Sequence, residues 1–77
     1  MNAKTRTELE KLSEQLSEIL DDVRQFGENE QEKFDNMPEG LQASERGSAM
    51  EEAASNLECA TTSIEEAIDY INSVLEA

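Results

Sequence analysis

Phe34-Asp35-Asn36-Met37-Pro38-Glu39-Gly40-Leu41-Gln42-Ala43-Ser44-Glu45-Arg46-Gly47 holds the only proline and two of the three glycines of the chain. On either side runs a long stretch with helical apolar spacing, and Gly27 is the one further breaker. This stretch therefore joins two long helices. Pro38 disfavours helical geometry at Met37, so the first helix ends before it. Asn36 can cap the turn beyond it, and Pro38 suits a first turn, where its missing N–H is not needed. The residues are read as a short helical turn at 38–42 and a long second helix from about Ser44; Asn36 and Ser48 are the other candidate starts. Phe34, Met37 and Leu41 read as a plug for the open end of a helical pair, or as a knob for a partner.

Upstream, Thr5-Arg6-Thr7-Glu8 and Thr7-Glu8-Leu9-Glu10 both fit a capping box, so helix 1 is placed at about 6–35 after a frayed start. Leu9, Leu12, Leu16, Ile19, Val23 and Phe26 alternate spacings of three and four, the a and d positions of a heptad abcdefg. Leu20 widens the stripe. Gly27 costs about 1 kcal/mol against alanine, so helix 1 is either loosened beyond it or interrupted at 27–29.

Downstream, helix 2 (about 44–76) is an internal heptad repeat. Met50, Leu57, Ile64 and Ile71 occupy a; Ala53, Ala60, Ala67 and Val74 occupy d. Large residues on helix 1 are expected to sit over these alanines, because complementary packing alternates large and small. A second stripe, Ala54, Thr61, Ile68 and Leu75, lies at e. With Leu20, it offers more apolar width than a two-stranded seam needs. The expected fold is all-α: an antiparallel, coiled-coil-like two-helix hairpin in a single domain, 1–77, dimerising into a four-helix bundle. Leu20, Ile68 and Leu75 are the expected oligomer or partner stripe.

The acids of helix 2 fall on the outer positions: Glu51, Glu58 and Glu65 at b, Glu52 and Glu66 at c, Asp69 and Glu76 at f. No base occurs from Gly47 to the end. Over the whole chain, 19 acids against 6 bases give a net charge of −13. That repels nucleic acid and anionic membranes, so no direct contact with either is expected, and a basic protein surface is the natural partner. Along a helix of about 46 Å, a side-by-side dimer carries one charge per about 1.8 Å, near the ~1.7 Å of duplex DNA. Glu51, Glu52, Glu58, Glu65, Glu66 and Asp69 form the candidate partner-binding face. Tyr70 and Arg46 are of the types enriched in binding hot spots.

Catalysis finds no footing. There is no histidine, no glycine-rich phosphate loop and no metal-ligand spacing, so neither a catalytic residue nor a cofactor nor a metal site is assigned. Cys59, the single cysteine, has acids beside it and no base, so no catalytic role is assigned to it. One thiol excludes an intrachain disulfide. No apolar run approaches a membrane span, and Met1-Asn2-Ala3-Lys4-Thr5-Arg6 is not followed by an apolar stretch, so a cytoplasmic protein is expected.

The connection at 34–47, with Met50-Glu51-Glu52-Ala53, Leu57-Glu58 and Ile64-Glu65-Glu66-Ala67, resembles a group of small acidic proteins encoded in phages and prophages of Gram-positive bacteria. The likeness covers about residues 28–77. It implies a viral origin, a helical fold and action in the host cytoplasm, and it carries no site residue. Small acidic phage proteins often inhibit host or defence proteins, some of which bind nucleic acid. The expected function is a non-enzymatic acidic binding or inhibitor protein that engages a basic surface, possible nucleic-acid mimicry included. The alternatives are a structural or assembly protein that recruits a partner helix, virion- or chaperone-like, and an antitoxin-like partner.

Overall fold

The computed structural model describes residues 1–77 as three helices: α1 (Ala3–Asp35), α2 (Glu39–Gln42) and α3 (Glu45–Glu76). α1 and α3 pack along their length as an antiparallel hairpin, and α2 is one turn within the connection. The molecule measures 58 × 15 × 14 Å between Cα extremes, with a radius of gyration of 17.3 Å.

α1 begins three residues before the expected start. Asn2 is extended and its side-chain oxygen accepts from the Thr5 N–H at 2.8 Å, filling one orphan donor of the first turn. The threonines of the proposed capping boxes lie inside the helix; the Thr7 hydroxyl donates back to the Ala3 carbonyl at 3.0 Å. α1 runs through Gly27 without a break.

The connection is held mostly by backbone. The Pro38 carbonyl accepts from Leu41 N–H (2.8 Å) and Gln42 N–H (3.1 Å). Gln42 Nε2 then donates to the Phe34 carbonyl (3.0 Å) and the Met37 carbonyl (3.2 Å), tying α2 to the end of α1. Ser44 caps α3 by accepting from Gly47 N–H at 3.2 Å. Gly47 is glycine for lack of room. A Cβ there would overlap the carbonyl oxygens of Leu41 and Gln42, with backbone rather than a movable side chain in the way. Phe34 and Met37 are half-buried; Leu41 is 52% exposed, so only two of the three expected plug residues are covered.

The core is thin. Ala54, Ser13 and Gly47 are the only buried residues, and no large side chain is fully enclosed. Each helix of a lone hairpin has one neighbour, so one stripe alone can be covered.

Candidate interaction faces

The covered stripe differs from the expected a/d seam. On α1 the buried and half-buried residues are Arg6, Leu9, Ser13, Leu16, Leu20, Val23, Gly27, Glu30 and Phe34. On α3 they are Gly47, Met50, Ala54, Leu57, Thr61, Ile64, Ile68, Ile71 and Leu75, with Ala53 and Ala60 at d and Asn72 at b half-buried on the margins. In the same heptad lettering, both helices use a and e. The reason is size. The e positions carry Ser13, Gly27, Gly47, Ala54 and Thr61, which let the backbones approach; a Cβ on Gly27 would lie 3.4 Å from that of Leu57. An a/d seam would put Leu12, Ile19 and Phe26 between the axes and hold the helices apart.

Two expectations are thereby corrected. Leu20, Ile68 and Leu75 are not a spare stripe for another chain; they are half-buried within the hairpin's own seam. The large d residues of α1 do not cover α3 alanines inside the seam: Leu12, Ile19 and Phe26 are 50%, 49% and 65% exposed.

With a and e between the helices, b and d become flanks, and antiparallel packing places like flanks of the two helices on the same side. The b side holds a shallow groove bordered by Arg24, Glu28 and Gln31 of α1 and by Glu58, Thr62 and Glu65 of α3. Arg24 crosses it to Glu65 at 2.8 Å and also lies 3.6 Å from Asp21. Among the b and f positions of both helices Arg24 is the one base, set against Glu10, Glu14, Asp21, Glu28, Asp35, Glu51, Glu58, Glu65, Asp69 and Glu76. Of the six candidate acids, all exposed, Glu51, Glu58 and Glu65 thus flank the seam, and Asp69 stands behind them. Glu52 and Glu66 lie on the back of α3 with the exposed Cys59. The acids form a wrap around one side and the back, not a single line.

The d side is the opposite in chemistry. Lys33 and Arg46 lie together at its closed end, beside a hollow lined by Met37, Pro38, Leu41 and Met50. Beyond them come Phe26, Ile19 and Leu12 on α1, and Ala53, Ala60, Ala67 and Val74 on α3. At the adjoining g positions α3 has Ala49, Asn56, Ser63 and Tyr70, so α3 places no acid on this side. Tyr70 is 76% exposed. The exposed large apolar side chains, apart from Met1 at the terminus, all gather here. The signal was present in the sequence, as the small e-position residues Ser13, Gly27, Gly47 and Ala54 that claim the seam and leave the large d residues of α1 outside it.

Polar cross-links set the register. Ser13 Oγ donates to Asn72 Oδ1 at 3.0 Å within the seam, and the Arg6 guanidinium donates to the Leu75 carbonyl. No three histidine, cysteine or carboxylate side chains are grouped to hold a metal ion. No helix is long and apolar enough to cross a membrane. Searches against family models, curated proteins and solved structures return no match for this chain.

Proposed function

We propose that the chain is a non-enzymatic binding protein, of phage origin as its connection suggests, that acts in the host cytoplasm as a pair of hairpins and seats its acidic side on a basic surface of a host or defence protein. The observation that carries this reading is the segregation of charge. All seven acids of α3 beyond Gly47 stand at b, c and f, and none at d or g. Acid placed on α3 only for hydration has no cause to avoid d and g, although α1 borders the same side with Glu8 and Asp22 at g.

The magnitudes permit a protein partner that normally holds nucleic acid. A net charge of −13 over 58 Å is one per about 4.5 Å for one hairpin, and about 2.2 Å for a pair. Duplex DNA carries one per ~1.7 Å. The molecule is longer than a single 31-residue helix, so the pair falls somewhat short of the duplex density. A second reading, assembly through a partner's helix, is favoured by the exposed Leu12, Ile19 and Phe26, which offer apolar contact without charge.

The test is binding of DNA-binding proteins from a Gram-positive host to the immobilised chain. Capture should be released by salt and by competing duplex DNA. Replacing Glu51, Glu58 and Glu65 with glutamine should weaken it at least tenfold. Capture that ignores salt and survives the triple replacement would reject the acidic-face reading.

A further inference from the structure

We infer that the d side of the hairpin is the seat of a second copy of this chain, with α1 of each copy lying across α3 of the other. The inference rests on the proposed pairing of hairpins and names the surface that makes the pair.

The first argument is area. A compact protein of 8.6 kDa exposes about 4,700 Å² by the usual scaling with mass. This hairpin exposes 5715 Å², an excess of roughly 1,000 Å². A chain of this length also has an expected radius of gyration of about 11.5 Å, against the 17.3 Å found. A standard protein–protein interface covers about 800 Å² per partner. The d side is two helices wide, about 20 Å, and runs about 40 Å from Leu12 to the connection, which is close to that area. One more hairpin placed there removes most of the surface that a single hairpin leaves over.

The second argument is self-complementarity. Leu12, Ile19 and Phe26 recur every seven residues on α1. Beside them at matching heights stand Val74, Ala67 and Ala60 on α3, by the register that puts Gly27 against Leu57 and Ser13 against Asn72. A two-fold axis along the hairpin lays each large residue over the small one of the other copy. The Ile19/Ala67 and Phe26/Ala60 layers then hold two large and two small side chains, and leucine and valine share the Leu12/Val74 layer, which fills a four-helix core evenly. An unrelated helix offers no such match, whereas an isologous pair supplies it by symmetry.

The third argument is charge. Two copies carry −26 between them, and any interface through the b or c positions would face acid against acid. The d side is where a second copy meets no acid from α3, and it leaves both acidic sides facing outward. Because the outer acids repel, and Lys33 and Arg46 of the two copies come together at the closed end of an otherwise apolar contact, pairing should strengthen as salt rises, opposite to the capture by a basic partner.

The measurement is the mass in solution by light scattering under reducing conditions, at low and high salt, with helicity recorded by circular dichroism. The expected result is a dimer, favoured by salt. Ile19→Lys and Phe26→Lys should each raise its dissociation constant by a hundredfold or more and yield helical monomers. Ser17→Lys, on the acidic side, should leave the dimer in place. Ile19 contacts its own hairpin more closely, so Phe26→Lys at 65% exposure decides the matter if Ile19→Lys loses helicity. A dimer indifferent to both lysines keeps the pair and overturns this face. A monomer at all salt concentrations overturns both, and leaves acidic capture to be judged on its own readout.

Discussion

The closed end of the hairpin and its shaft are held by different means. At the closed end, backbone carbonyls are spoken for one by one: Pro38 by α2, Phe34 and Met37 by Gln42, and those of Leu41 and Gln42 hard against Gly47. Along the shaft, the contact is side chain on side chain, most of it half-exposed, with two polar cross-links within the seam and an ion pair beside it. The difference teaches where one atom matters. A methyl group added where backbone already fills the space has nowhere to go; on the shaft, neighbours can share the change.

The strongest way to break the comparison is to make the same substitution at both places. Gly47→Ala gains about 1 kcal/mol in helix propensity but forces the connection off α3. Overpacking against backbone costs ~1–3 kcal/mol or more, and a net loss on the order of 2 kcal/mol is expected, read as a fall in the thermal midpoint of about 10 °C. Gly27→Ala should show the opposite sign. Its Cβ would meet Leu57 at 3.4 Å, an ordinary contact, so up to about 1 kcal/mol of helix propensity is gained. Both substitutions destabilising alike would erase the distinction. The smallest effect belongs to the shaft's polar pair. Ser13→Ala leaves Asn72 without its partner, yet Asn72 is only half-buried and water can replace the hydroxyl, so urea unfolding should register under about 1 kcal/mol.

Much of this architecture was legible in the sequence. Pro38 and the heptads located the hairpin, and Ser44 marked the start of α3. The start of α1 was misplaced because the two threonine capping boxes drew the reading past Asn2, which caps the helix. The larger error was the choice of seam. Counting apolar residues favours d over e, since Leu12, Ile19 and Phe26 are bulky and Ser13 and Gly27 are not. Helix packing weighs closeness of approach as well, and two helices with nothing else to cover them come together on the small residues. The acidic candidates were found from their outer heptad positions on helix 2. Their division between a flank and the back of α3 is set by the seam and was hidden until the seam was known.

The thinness of the core has a consequence for how the chain closes and opens. Gln42 reaches Phe34 across 8 residues, while Arg6 reaches Leu75 across 69. Once the connection has formed, each further layer extends the one before it and adds little loop-closure entropy. No enclosed large side chain divides the shaft into cooperative blocks. Folding should therefore run as a zipper from Pro38 outward, and opening should begin at the paired termini and grade smoothly toward the connection.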